Sequence, residues 1–236
     1  MTQSALAWAD AAIHHTDTMG NMNDIIQTIT LYAIPVVFAI TLHEAAHGYI
    51  ARLFGDPTAT LAGRVTLNPI RHIDPIGTIA VPLGILLMSK LFGGPPLLFG
   101  WAKPVPVDFG RLRRPKQDML WVALAGPMSN LLMAIAWAIS LRLMFESGSR
   151  DGFWFEMALV GVQINLVLMA LNLLPLPPLD GGRIVFSLLP NRLAWQFGRL
   201  EPYGMMIVIL LLATGSLWVI LSPVMELGQA IIRMFL

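Results

Sequence analysis

The pentapeptide His43-Glu44-Ala45-Ala46-His47 lies inside an almost uninterrupted apolar stretch that runs from Ile25 to Phe54. A stretch of that length can cross a bilayer as a helix, and three ionisable side chains within it are costly unless they are paired, coordinated or lining water. Residues four apart on a helix share a face, so both imidazoles can reach one metal ion, with Glu44 held beside them to draw a proton from water. The pattern suits one Zn2+ per chain and hydrolysis of a peptide bond. By itself it is weak, because three fixed positions in five recur by chance; its placement in a membrane-length helix is what gives it force.

Composition agrees that lipid is the solvent. Hydrophobic residues make up 56% of the 236 positions and charged residues 12%, with a mean hydropathy of +0.69, far from the balance of a soluble domain. The net charge of +1 and the lack of basic runs of the nucleic-acid-binding kind exclude nucleic acid as an expected partner. Cysteine is absent, which rules out disulfides, thiol nucleophiles and Cys-ligated metals. Any metal must use His, Asp, Glu or amide oxygens.

Residues 1–23 read as a polar lead-in, and the lack of Lys or Arg before Arg52 argues against a cleaved signal peptide. The pair His14-His15 in this lead-in reads as solvated. Further spans are expected over Ile76 to Phe92, Met119 to Phe145, Phe153 to Leu174 and Tyr203 to Val224. Arg52, Arg64 and Arg71 follow the first span, and Arg111-Leu112-Arg113-Arg114-Pro115-Lys116 precedes the helix of Met119. Both basic connectors should face the cytoplasm, which orients the first helix inward and places the motif toward the cytoplasmic side. One crossing by Ile76 to Phe92 would separate them, so this Pro- and Gly-interrupted stretch is expected to be re-entrant.

Two histidines need a third protein ligand, and Asp180 is the candidate. It closes Asn172-Leu173-Leu174-Pro175-Leu176-Pro177-Pro178-Leu179-Asp180-Gly181-Gly182, where the prolines forbid continued helix and open a polar pocket at membrane depth. Gly181 and Gly182 are expected to let the chain turn sharply into a new helix. Standing alone, Asp180 would read as a helix N-cap.

HEAAH in the first apolar helix, AGPMSN at Ala125 to Asn130, and NLLPLPPLDGG at Asn172 to Gly182 together resemble the site-2 protease family of intramembrane zinc metalloproteases. The resemblance covers the chain from about Ile25 onward. It implies His43, His47 and Asp180 as zinc ligands, Glu44 as the catalytic acid/base, and Asn172 as an aid to substrate binding or oxyanion stabilisation. Asn130 and His72 are further candidates for substrate contact or support, with Asp74 beside His72. Only about ten residues, Glu146 to Phe155, separate two of the helices, so the form is the compact one, without an inserted peptide-binding domain.

The stretch Gly63 to Pro69 alternates like a strand and is similar to the β-structure that follows the metal helix in that family; such an edge could pair with an unwound substrate. The expected fold is thus an all-α polytopic membrane protein, a bundle of about five to six transmembrane or re-entrant helices with a small membrane-associated β element. Residues 1–236 read as one integral-membrane metalloprotease domain. The expected partners are a transmembrane protein substrate and membrane lipid, in a multi-pass protein of the plasma membrane, with the oligomeric state unread. Two other classes stand beside this one: a catalytically silent membrane scaffold, and a zinc transporter with a midplane transit site.

Overall fold

The computed structural model describes residues 22–80, 84, 102–149 and 152–236. The polar lead-in, with His14 and His15, and most of the expected re-entrant stretch fall outside these. Three long helices form the centre: α1 (Met22–Leu53), α3 (Pro115–Glu146) and α4 (Phe153–Asn172). The four-residue α2 (Thr58–Leu61) lies between the first two, and a 3-10 turn (Pro69–His72) and a π-helical turn (Pro75–Ala80) follow it. After α4 come the short α5 (Asp180–Leu188) and α6 (Asn191–Gly198), then α7 (Glu201–Ala213) and α8 (Ser216–Ile232). Three helices of the described residues are long and apolar enough to cross a membrane, and the α6–α7 pair, bent by 60°, would make a fourth.

Packing is inside-out relative to a soluble bundle. The buried faces of α3 and α4 carry small residues, among them Ala123, Gly126, Ala134 and Ala138 on the first and Ala158, Gly161 and Ala170 on the second. Helices without a hydrophobic drive to associate pack through such close approaches. At Gly161 a Cβ would lie 2.5 Å from the Trp137 ring, so only glycine admits this crossing. The large apolar side chains of Leu132, Leu143, Leu210 and Val219 point outward and are exposed. An apolar exterior over small-residue seams is the signature of lipid contact. The protein is an all-α polytopic membrane protein.

The C-terminal end of the metal-bearing helix is anchored. The α1 C-terminus meets the start of α3 through the Arg113 N–H donating to the Phe54 carbonyl at 3.0 Å, and Ala51, Leu112 and Val122 form a buried cluster there. The two basic connectors therefore lie at the same end of the bundle. A separate buried cluster, Ala134, Ala138, Leu166, Met169 and Ile232, joins α3, α4 and α8.

Two local expectations are corrected. No strand occurs among the described residues, and Gly63 to Pro69 is a chain of turns. Its polar side chains serve their own backbone: Thr66 Oγ1 accepts the Asn68 N–H at 3.2 Å, and Asn68 Oδ1 accepts the Ile70 N–H at 3.1 Å. Ser, Thr and Asn used this way compete with a sheet ladder, which alternation of apolar residues cannot reveal. The expected single helix over Tyr203 to Val224 is broken by a turn at Thr214 and Gly215. Gly215 is left-handed at φ 73°, and the Thr214 hydroxyl donates back to the Leu210 carbonyl at 3.0 Å.

Candidate metal centre

Three side chains from two distant segments converge between α1 and α5. His43 Nε2 and His47 Nε2 lie 3.1 Å apart, and both face Asp180 Oδ2, at 3.2 Å and 3.3 Å respectively. All three residues are buried, with 8%, 9% and 9% of their surface exposed. The i, i+4 spacing brings the imidazoles together, as the sequence predicts. Asp180 arrives from the far side, at the first position of α5, after the Pro-rich turn that ends α4. It does not cap that helix: the N-cap is Leu179, and Asp180 turns its carboxylate to the histidines. Among the described residues this is the group suited to hold a metal ion.

Hydrogen bonds behind the rings fix which nitrogen points inward. His47 Nδ1 meets the Val122 carbonyl at 2.7 Å; a carbonyl only accepts, so Nδ1 carries the hydrogen. His43 Nδ1 lies 2.6 Å from Asn130 Oδ1. The Asn130 amide nitrogen faces the Ala39 carbonyl at 3.4 Å and Asn165 Oδ1 at 3.1 Å, which leaves its oxygen to accept from His43. Both Nε2 atoms thus present lone pairs toward a carboxylate oxygen, and Asp180 Oδ2 is a buried acceptor without a hydrogen-bond donor. Three lone pairs facing one another in a water-poor pocket repel unless a cation sits among them. Tetrahedral Zn2+ with ligand bonds of about 2.0–2.1 Å separates its donors by about 3.3–3.4 Å. The donor set therefore fits zinc in number, type, tautomer and spacing.

The backbone of α3 makes room for the two rings. A Cβ at Gly126 would lie 2.4 Å from His47 Nε2 and 2.6 Å from His43 Nε2, so the cradle exists only because this position lacks a side chain. Gly181 and Gly182 play a different part from the sharp turn expected of them. Neither has positive φ; instead a Cβ on Gly181 would lie 2.2 Å from the Leu174 carbonyl oxygen, and one on Gly182 2.3 Å from Pro177 N. They let the start of α5, with Asp180, press against the Pro-rich turn.

The other expected residues divide. Glu44 Oε2 accepts the Val105 N–H at 2.7 Å. Asn130 is a support for His43, with no exposed surface. His72 is buried and lies outside the metal group; its ring meets the Thr66 carbonyl at 3.1 Å and folds the turn region. Asp74 Oδ1 accepts from Ile76 N at 2.9 Å and Gly77 N at 2.7 Å, starting the π-helical turn. The Asn172 amide donates to the Leu168 carbonyl on its own helix at 3.0 Å.

Asn165 is the residue sequence reading passed over. It is fully buried, accepts from Asn130, and donates to the Gly161 carbonyl at 2.8 Å. It completes a relay from the α4 backbone through Asn130 to His43. An Asn in the middle of an apolar span was the available signal, since such a group needs a partner in the membrane. Replacing Asn165 with Ala should weaken zinc binding roughly tenfold, at the low end for residues that orient a ligand from behind. Metal titration of the purified variant checks this; an unchanged affinity would reduce the relay to helix packing.

Membrane helices around a buried His-His-Asp centre define a membrane-embedded metallopeptidase class, and similarity to known proteins agrees. Residues 143–214 match the profile of peptidase family M50. The chain is 38% identical over 208 residues to the putative zinc metalloprotease YwhC of Bacillus subtilis, covering 86% of this chain and 89% of that protein. It is 29% identical over 181 residues to the putative zinc metalloprotease Rip2 of Mycolicibacterium smegmatis, covering 77% of this chain and 66% of that protein. Identity to Rip2 of Mycobacterium tuberculosis is 32% over 143 residues, or 61% of this chain and 51% of that protein. No solved structure matches. The chain belongs to peptidase family M50, the site-2 protease family of zinc metalloproteases.

Proposed function

We propose that this protein is an intramembrane zinc endopeptidase that hydrolyses peptide bonds within or near transmembrane segments of membrane-protein substrates, as in regulated intramembrane proteolysis. The observation that carries this reading is the burial of three converging metal-type donors in a helix bundle whose exterior is apolar. A centre built at such depth serves a substrate that is itself in the membrane. His43, His47 and Asp180 would hold the ion, one per chain. Bound zinc supplies Lewis acidity, polarising the scissile carbonyl and acidifying water.

Glu44 takes the proton of the attacking water and returns it to the leaving amine, a task for which a carboxylate adjacent in sequence to one ligand is well placed. Val105 N–H holds one carboxylate oxygen, which limits the rotation of the group. Asn172 would assist the developing oxyanion, as the family pattern implies; its amide would have to leave the Leu168 carbonyl to do so. The basic residues at the end where α1 finishes and α3 begins favour a cytoplasmic position for that end, in the plasma membrane.

Purified protein in liposomes, assayed for zinc content, cleavage of a model transmembrane peptide and zinc flux, tests the reading. It is expected to hold zinc, cut the peptide and move no metal. Zinc flux with an intact peptide would overturn it in favour of a transporter, and bound zinc with neither activity in favour of a silent scaffold. In the same assay Asn172→Ala should retain zinc but cut on the order of a hundredfold more slowly if it serves the oxyanion. An unchanged rate would leave Asn172 a helix-end residue.

A further inference from the structure

Glu44 is tethered from outside its own helix, and the tether is itself held. Residues 102–108 run without helix or strand past α1. Pro104 and Pro106 lack an N–H and favour extended backbone around them, so Val105 is the only backbone donor between Lys103 and Val107. That donor is the one spent on Glu44 Oε2. The Val105 side chain is buried, 7% exposed, and sits over Gly48, one helical turn beyond Glu44. A Cβ there would meet Val105 Cγ1 at 3.0 Å and Val65 Cγ2 at 2.9 Å.

Arg64 grips this strap through its carbonyls. It is 8% exposed, and its Nη2 donates to the Lys103 carbonyl at 2.7 Å and the Pro104 carbonyl at 3.4 Å. The Pro104 carbonyl and the Val105 N–H are two ends of one peptide unit. The guanidinium, that peptide dipole and the Glu44 carboxylate therefore stand in series, an order in which each contact strengthens the next. The loop bearing Arg64 is tied to the strap again where Lys103 N–H donates to the His72 carbonyl at 2.9 Å. Burying a guanidinium is costly; Arg64 Nε is buried with no hydrogen-bond partner among the described residues, and the bonds the group does make, through Nη2, go to the backbone that fixes the base.

We infer that Arg64 is a positioning residue for Glu44, acting through the Pro104–Val105 peptide. This rests on Glu44 being the acid/base of the proposed reaction. Arg64 bonds to the strap and not to the metal donors, so its effect should fall on turnover and spare zinc and substrate affinity. Arg64→Ala should lower kcat roughly tenfold to a hundredfold, with KM changed by less than about twofold and zinc retained. Arg64→Lys, which keeps a buried cation able to reach one carbonyl, should recover part of the loss.

Val105→Pro removes the donor directly, and adding Arg64→Ala to it should cost little more, because both act on one contact. Unchanged kcat in Arg64→Ala, full additivity in the double variant, or zinc loss in parallel with activity in both Arg64 variants would each overturn the inference. Should Arg64→Ala not fold, a folded, zinc-bound Val105→Pro protein with normal kcat overturns it equally. Glu44→Gln separates this failure from that of the underlying reading. A normally active Glu44→Gln protein removes the base itself, whereas an inert one beside a fully active Arg64→Ala protein removes only the role of Arg64.

Discussion

Gly126→Ala is expected to leave the helix bundle intact and empty its metal centre. Alanine is the better helix former by about 1 kcal/mol, so α3 itself is favoured by the change. The added methyl would lie 2.4 Å from His47 Nε2 and 2.6 Å from His43 Nε2, closer than any unstrained contact. The two rings cannot retreat freely, because Asn130 and the Val122 carbonyl hold them from behind at 2.6 Å and 2.7 Å. The ligating nitrogens must then separate or turn away, and zinc affinity should fall by about a hundredfold or more, beyond what loss of a supporting hydrogen bond causes. Metal analysis beside a thermal melt of the purified variant checks both halves. A stable Gly126→Ala protein with full zinc would mean that the cradle lies elsewhere.

Glu44→Gln should behave in the opposite way, keeping metal and losing chemistry. Glutamine preserves size and can still accept the Val105 N–H through its amide oxygen, so the local structure has no reason to change. It cannot take a proton from water or return one to an amine. Cleavage should fall on the order of a thousandfold or more, within the range of a positioned acid/base, while one zinc per chain remains. Rates on a transmembrane peptide, with zinc measured on the same preparation, separate this from ligand loss. Cleavage at the normal rate would remove Glu44 from the mechanism.

The part of this centre legible in the sequence is the part that short-range geometry dictates. Helical periodicity alone places His43 above His47, and a proline-interrupted end to an apolar helix marks where Asp180 can leave the lipid-facing wall. The relay through Asn130 and Asn165 was only half visible, because the contact between α3 and α4 that joins them depends on which faces of two uniformly apolar helices meet. Gly126 sits unremarked within AGPMSN, and the structure shows that its missing side chain is space for the two imidazole rings. The strand expected over Gly63 to Pro69 failed for a local reason: Thr66 and Asn68 bond their own backbone, a competition that alternation does not register. The strap of residues 102–108 carried no periodic signal at all, and its role appears only where Arg64 and Glu44 meet the two ends of one peptide unit.

The most direct test of the metal centre is the zinc content of the Asp180→Ala protein, purified beside wild type and Glu44→Gln. Asp180 joins the histidines from a segment more than a hundred residues away, and its Oδ2 is the buried acceptor that lacks a donor. A ligand cannot be removed from a three-residue site without weakening it. Wild type and Glu44→Gln should each carry about one zinc per chain, and Asp180→Ala should carry far less while also failing to cut a transmembrane peptide. Full zinc occupancy in Asp180→Ala would contradict the His43-His47-Asp180 centre on which the proposed hydrolysis depends.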